Sequence, residues 1–209
     1  MNPEHDELCG SPEWAEYLQT EILPAAIASF DLGQDLLEIG PGPGAATTWL
    51  SQRVATLTAL EADPAAASRL AARDLGGNVR VDTGDAARMP YASESFDSVA
   101  SFTMLHHVAT AAAQYQILAE VLRVLRPGGT LVGSDSLAST DLHHFHAGDT
   151  YNPVEPATLL TWLRALGFGA VAVSVGDVLT FMARKPRTGA DGAPGTDDGD
   201  GDGQEVIAP

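Results

Sequence analysis

The sequence predicts an α/β fold in which a doubly wound, mostly parallel sheet is covered by helices on both faces. Two observations support this prediction. Short apolar segments alternate with segments of helical periodicity, and most of the apolar segments end at glycine, proline, aspartate or a polar turn. Strands that alternate with helices form parallel sheets, because each helix returns the chain to the same edge. The 209 residues are enough for one such domain with a tail.

Seven segments have the composition of buried strands. Helical or glycine-rich segments separate the first five. The last two are joined by the turn at residues 176–178, so we expect an antiparallel hairpin at the edge of the sheet. The predicted strands are residues 35–39, 56–61, 79–83, 98–102, 130–134, 170–175 and 179–185.

The helices are predicted from apolar spacing and from their end signals. Asp63 can cap the helix that begins at Pro64, a position where proline is favoured. Pro127 ends the apolar pattern of the helix before it. The segment before the first strand is amphipathic and is interrupted at Pro24. The predicted helices are residues 12–29 with a kink, a helix from residue 45, 64–75, 112–125 and 156–166.

The charge of the chain argues against a nucleic-acid partner. Asp and Glu number 28 against 11 Lys and Arg, which gives a formal net charge of −17, and Lys185 is the only lysine. A phosphate backbone needs clustered basic residues. Cys9 is the only cysteine and no apolar run approaches about 18 residues, so we expect a cytoplasmic protein without membrane or disulfide.

A glycine-rich turn follows the first predicted strand. Gly40, Gly42 and Gly44 alternate with Pro41 and Pro43, and a helix opens directly afterwards. Such a turn lets the backbone approach a ligand closely. The same residues also satisfy the dinucleotide pattern G-x-G-x-x-G/A, so the turn alone leaves the cofactor open.

Three acidic residues around the turn narrow the choice of cofactor. Glu61 ends the second strand, where a carboxylate can accept the hydroxyls of a ribose. Asp85 follows the third strand, where it can accept a hydrogen bond from an adenine amino group. Glu38 precedes the turn and places negative charge where an α-amino group could bind.

This pattern resembles the class I S-adenosylmethionine-dependent methyltransferases over roughly residues 36–185, and most closely their small-molecule branch, the type 11 enzymes of ubiquinone and menaquinone biosynthesis. The segments at residues 95–99, 103–107 and 125–129 match later landmarks of that family. The resemblance implies a Rossmann-like seven-stranded sheet and S-adenosyl-L-methionine as cofactor. It also implies these cofactor-binding residues: Glu38, Gly40, Pro41, Gly42, Gly44, Glu61, Ala62, Asp85, Ala86 and Thr103.

The resemblance and the composition of the chain together predict how it divides into domains. Residues 35–186 would form the S-adenosylmethionine-binding domain, and residues 1–34 a helical lid that crosses the cofactor edge. From residue 187 the chain is rich in Gly and Asp, which predicts a disordered acidic tail over residues 187–209.

Histidines are the candidates for acid-base chemistry at the acceptor. Methyl transfer needs alignment more than acid-base catalysis, but a hydroxyl or ammonium acceptor benefits from a base. We predict His106 and His146 as catalytic residues. His144 and His146 would share a side if the loop were extended. A zinc site from His144, His146 and Asp149 matches no common ligand spacing, so no metal is expected. The predicted substrate-binding residues are His144, Asp149, Tyr151 and Trp14.

Three functions fit this sequence, and a fourth does not. A short-chain dehydrogenase needs a tyrosine four positions before its lysine, and Phe181 stands at that position before Lys185. The leading prediction is methyl transfer to an oxygen or nitrogen of a small-molecule acceptor. The alternatives are a protein methyltransferase and a non-catalytic protein that binds S-adenosylmethionine or S-adenosylhomocysteine.

Overall fold

A seven-stranded sheet forms the centre of the computed structural model, which describes residues 2–27 and 30–187. The strand order is β3-β2-β1-β4-β5-β7-β6. β7 runs antiparallel to both of its neighbours, β5 and β6, and all other neighbouring strands are parallel, so the predicted α/β fold with a C-terminal hairpin is confirmed. The strands are β1 (Asp35–Ile39), β2 (Thr56–Glu61), β3 (Val79–Thr83), β4 (Phe96–Phe102), β5 (Leu125–Asp135), β6 (Gly169–Val175) and β7 (Leu179–Arg184).

Two central strands are longer than predicted. In β4 and β5, Phe96 pairs with Leu125 before a register shift, and regular pairing resumes at Ser98 and Thr130. Pro127 therefore lies within β5 and not in a separate turn before it. Leu125 is fully buried at the start of β5, and the strand continues from it through a segment whose glycines suggested a loop.

Eight α-helices are present in the described residues, and two of them were not predicted. Those at residues 45, 64, 111 and 156 begin within one residue of the predicted start. Two short helices, α1 and α7, lie where no helix was predicted. The helices are α1 (Pro3–Cys9), α2 (Pro12–Tyr17), α3 (Leu23–Ile27), α4 (Ala45–Ser51), α5 (Pro64–Ala71), α6 (Ala111–Val124), α7 (Thr140–Phe145) and α8 (Pro156–Leu166).

The interruption near Pro24 is a π-helical turn at Leu18–Ile22, which joins α2 to α3. The backbone N–H of Leu23 donates to the carbonyl oxygen of Leu18, five residues back. Proline has no N–H to donate, so the hydrogen-bond ladder must shift near it. The wider turn keeps Leu18, Ile22 and Leu23 buried against the sheet.

Apolar layers cover both faces of the sheet. The side chains of β1 alternate between them: Leu37 and Ile39 pack against the layer that includes α6 and α8, and Leu36 packs against the layer that includes α3, α4 and α5. Burial of each such leucine contributes about 1.5 to 3 kcal/mol. The two layers fix the strands rigidly, and the loops at their carboxyl ends are positioned by that scaffold.

The described part of the chain contains no helix that is both long enough and apolar enough to cross a membrane. Apart from Arg187, the predicted acidic tail lies outside the described residues, as do positions 28 and 29 of the first predicted helix.

Candidate functional site

The glycine turn leaves β1 with three glycines at positive φ: +65° at Gly40, +53° at Gly42 and +87° at Gly44. L-residues other than glycine are strained in this conformation. A side chain at Gly40 would collide with Met104, whereas one at Gly42 would meet nothing within 4 Å. Gly42 therefore leaves its space to the cavity that the turn borders.

A cavity of about 760 Å³ lies at the carboxyl ends of β1, β2, β3 and β4. Its volume is typical of small-molecule sites, and its place at the carboxyl edge of the sheet is where open α/β folds bind ligands. All the predicted cofactor residues except Gly44 line it. Gly44 is instead the N-cap residue of α4, and a side chain there would collide with Leu70. The predicted cofactor-binding residues that line the cavity are Glu38, Gly40, Pro41, Gly42, Glu61, Ala62, Asp85, Ala86 and Thr103.

Glu38 is a buried carboxyl group on the wall of this cavity, with 2% of its surface exposed. Burial raises its pKa to about 7, and the nearby charge of Glu61 acts in the same direction. The Thr47 hydroxyl donates to Glu38 Oε2 at 2.7 Å, which opposes the rise. A cationic ligand in the cavity would therefore strongly stabilise the ionised form of this carboxyl group.

Backbone N–H groups hold the other two acids in place. Gly42 donates to Glu61 Oε2 at 3.3 Å and Asp63 donates to Glu61 Oε1 at 3.0 Å. Ala87 donates to Asp85 Oδ1 at 2.8 Å. These bonds tie both carboxylates to the loops that follow their strands, so the side chains are oriented before any ligand binds.

The remaining walls of the cavity include residues from the N-terminal helices and the loop after β4. Trp14, predicted to contact substrate, lines the cavity together with Leu18 and Met104. His107 lines it as well. The predicted catalytic residues His106 and His146 do not line it, and each is only 4% exposed.

The expectation that His144 and His146 share a side is wrong, because residues 140–145 form α7. Ser139 caps this helix through a bond from the Leu142 N–H to its hydroxyl oxygen, at 3.1 Å. Side chains two apart on a helical turn point in different directions. His144 is exposed, whereas His146 is buried at the helix end.

His146 belongs to a cluster of rings with His5, His106 and His107. Two predicted substrate residues also belong to this cluster and do not line the cavity. Tyr151 stacks on His146 with 4.4 Å between ring centroids, and Asp149 pairs with His5. His5 was not predicted as a site residue, since it lies far from His107 and His146 in sequence and only the fold brings it near them.

His106 is fixed by a buried carboxylate. Its Nδ1 contacts Asp135 Oδ1, and Asp135 also accepts the backbone N–H groups of Leu105 and Ser136, at 2.8 and 2.7 Å. Asp135 ends β5 with 1% of its surface exposed. This pair orients the loop that carries His107 into the cavity.

The other three histidines of the ring cluster, His5, His107 and His146, have lowered pKa values. Burial is the largest cause for each, and neighbouring histidines lower the values further. The pKa of His107 falls to about 3. At neutral pH these rings are therefore uncharged, and His107 is a weak base.

Comparison with protein families gives a match to the methyltransferase domain over residues 37–133. The methyltransferase GfsG of Streptomyces halstedii is 32% identical over 108 residues, 49% of this chain and 38% of that protein. A phthiotriol/phenolphthiotriol dimycocerosates methyltransferase of Mycobacterium leprae is 33% identical over the same length, also 49% of this chain and 38% of that protein. The matched region thus spans well under two thirds of these curated relatives.

Solved structures share the fold at low sequence identity. Phosphoethanolamine N-methyltransferase 2 of Haemonchus contortus, in complex with S-adenosyl-L-methionine, superposes with a TM-score of 0.68 and 14% identity, covering 81% of this chain and 52% of that one. The [4+2]-cyclase SpnF has the same TM-score with 18% identity, covering 88% and 92%. At these identities the likeness concerns the fold alone.

Proposed function

We propose that this chain, which carries a class I S-adenosylmethionine-dependent methyltransferase domain, transfers a methyl group to an oxygen or nitrogen atom of a small-molecule acceptor. One observation carries this proposal. A single cavity is lined both by the glycine turn with its three acids and by Trp14, Met104 and His107. Cofactor and acceptor can therefore meet in one cavity.

S-adenosylmethionine is the cofactor of this domain, and the residues around the cavity fit it. Gly42 leaves open the space that any side chain would fill. Glu38 supplies a buried carboxyl group for the α-ammonium group. Glu61 and Asp85 supply acceptors at the ends of the next two strands for the ribose and the adenine. When bound, the cofactor supplies an electrophilic methyl carbon with a neutral thioether as leaving group.

The protein's part in the reaction is alignment. The glycine turn and its three acids would hold the methyl donor, and Trp14, Met104 and His107 would place the acceptor in line with it. The acceptor's proton then leaves to water or to a base. Because its pKa lies near 3, His107 binds such a proton weakly, so we propose that its ring orients the acceptor by packing against it in the cavity.

His106 and His146 have different proposed roles from those expected. Neither reaches the cavity, and both contact the His107 ring, with centroids 4.0 and 5.4 Å away. We propose that they position His107. Their removal would then reduce turnover through the placement of the acceptor.

A small acceptor is supported by the cavity volume of about 760 Å³ and by the charge of the chain. One relative is named for phthiotriol and phenolphthiotriol dimycocerosates, and a triol offers hydroxyl groups. An acidic protein with one lysine also disfavours a nucleic-acid substrate. The cytoplasmic location stays a prediction from the sequence, and the lid role of residues 1–34 is a proposal tested below.

The first test is calorimetric titration with S-adenosylmethionine and S-adenosylhomocysteine, with NAD as control. We expect affinities in the micromolar range for the sulfur nucleotides and no heat from NAD. A screen of hydroxyl- and amine-bearing small molecules then follows, with S-adenosylhomocysteine formation as readout. Turnover only with basic peptides would favour a protein methyltransferase. Binding without turnover would favour a non-catalytic binder.

A further inference from the structure

Three histidines from distant parts of the chain meet beside the cavity. His5 comes from α1, His107 from the loop after β4 and His146 from the end of α7. One ring nitrogen of each lies within 4.8 Å of the others. Their ring centroids are 4.5 Å apart for His5 and His146, and 4.8 Å apart for His5 and His107.

The hydrogen bonds of these rings select one tautomer. In each ring Nδ1 faces an oxygen atom: Asp149 Oδ2 at 3.3 Å for His5, the Thr150 carbonyl at 3.3 Å for His107, and the Leu142 carbonyl at 2.6 Å for His146. A carbonyl oxygen only accepts hydrogen bonds, and the oxygens of a carboxylate likewise only accept them. Nδ1 therefore carries the proton, and the lone pair lies on Nε2 in all three rings.

The Nε2 atom of His146 is buried and has no hydrogen-bond partner. A buried polar atom without a partner costs about 1 to 3 kcal/mol, so such atoms call for an explanation. Tyr151 stacks on this ring and the Leu142 carbonyl fixes its Nδ1. The surroundings thus hold the His146 ring in place and leave its buried Nε2 lone pair without a protein donor.

We propose that His5, His107 and His146 bind a divalent transition-metal cation of the zinc type through their Nε2 atoms. Imidazole nitrogens suit Zn²⁺ and its neighbours, whereas Mg²⁺ and Ca²⁺ require oxygen ligands. Histidine ligands characteristically donate their other N–H to a carboxylate or a carbonyl oxygen, which is the arrangement found here. This proposal departs from the sequence-based expectation that the chain holds no metal, and its ligands differ from the His144, His146 and Asp149 set considered there.

The geometry implies a site with an open position. Three nitrogens about 2.0 to 2.1 Å from a tetrahedral cation stand about 3.3 Å apart, so the rings move slightly inward on binding. Three protein ligands leave the fourth position for water or another molecule. His107 also lines the cofactor cavity, so the cation would lie next to the cavity wall. The inference concerns binding alone and holds whether or not the chain transfers methyl groups.

The test uses the full chain without a histidine tag, stripped of metal by a chelator and titrated with Co²⁺. We expect one Co²⁺ per chain, with the visible absorption of low-coordinate cobalt, and loss of that absorption when Zn²⁺ is added. His146→Phe and His5→Phe remove a ligand but keep a ring of similar size for packing. Each should weaken Co²⁺ binding by at least about tenfold.

Matched controls come from the same helix. His143→Phe and His144→Phe change exposed histidines of α7 and should leave Co²⁺ affinity unchanged. Cofactor titration and near-ultraviolet circular dichroism report whether each variant is folded. The proposal is overturned if folded wild-type protein binds no Co²⁺, or if the His5 and His146 variants bind it as tightly as wild type. Equal losses in the His144 variant would overturn the ligand set.

Discussion

Among the residues that we propose to bind the cofactor, Glu38 is the one whose titration would affect binding most directly. Its pKa is raised to about 7, chiefly by burial, so about half of the free protein carries it protonated at neutral pH. A cationic amino group beside it favours the ionised form. Binding at lower pH must therefore expel a proton from Glu38, which weakens affinity.

We expect the Kd for S-adenosylmethionine to rise by up to about tenfold per pH unit between pH 7 and pH 5.5. Glu38→Gln should bind more weakly at pH 7.5 and show little of this pH dependence. Calorimetry in buffers of different ionisation enthalpy would also detect the released proton. Equal pH slopes in the two proteins would exclude Glu38 as the titrating group.

Gly42 and Gly167 form a matched pair for testing the glycine turn. Both have positive φ, +53° and +100°, and a side chain at either would meet nothing within 4 Å. Only Gly42 lines the cavity, whereas Gly167 ends α8. The two positions therefore share the strain of an added methyl group and differ in their access to ligand.

Gly42→Ala and Gly167→Ala should each lower the free energy of unfolding by about 1 to 2 kcal/mol, because L-residues are strained at positive φ. Only Gly42→Ala should weaken cofactor binding, by about tenfold or more. Denaturant melts measure the first effect and calorimetry the second. A comparable loss of affinity in Gly167→Ala would show that strain, and not access to the cavity, governs binding.

At the scale of elements, α1, α2 and the π-helical turn contribute the N-terminal side of the cavity lining. Cys9, Trp14 and Leu18 line it from this side. The Ser11 hydroxyl caps α2 by accepting the Trp14 N–H at 3.1 Å. Asn2 donates its backbone N–H to Asp149 at 2.6 Å, which ties the start of the chain to the loop after α7.

This arrangement predicts that the N-terminal helices become protected when ligand binds. S-adenosylhomocysteine should slow amide hydrogen exchange in residues 12–22 by about tenfold, because closure over the ligand suppresses local opening. Strand β6, at the far edge of the sheet, is the internal control and should not change. Unchanged exchange in residues 12–22, with saturating ligand, would contradict the lid proposal.

At the scale of the whole molecule, burial of uncharged histidines makes stability depend on pH. The pKa of His107 is about 3 in the folded chain against an ordinary value of 6.5. The unfolded chain therefore binds a proton first as pH falls, and folding stability is lost below about pH 6.5. Glu38 acts with the opposite sign between about pH 4.5 and pH 7, since its folded pKa is raised.

A comparison of variants separates these two contributions. Between pH 7 and pH 5, wild-type protein should lose about 1 to 2 kcal/mol more unfolding free energy than His107→Phe, because Glu38 is present in both. His143→Phe, which changes an exposed histidine, should follow the wild-type profile. The melts are made with chelator present so that metal binding does not contribute. Identical profiles for wild type and His107→Phe would contradict the prediction.

The sequence by itself determined the sheet and the cofactor edge. Strand periodicity, the glycines after β1 and the acids that end the next strands are local signals, and parallel strands bring their carboxyl ends to one edge whatever else the chain does.

Only the tertiary structure decided which histidines meet. His5 contacts His107 and His146 because α1 packs beside the loop after α7, and no spacing rule relates positions so far apart. Packing likewise turned His144 outward, buried His146 and placed His107 in the cavity wall. Local sequence encodes backbone geometry, whereas contacts between distant segments depend on how whole elements bury their apolar faces against one another.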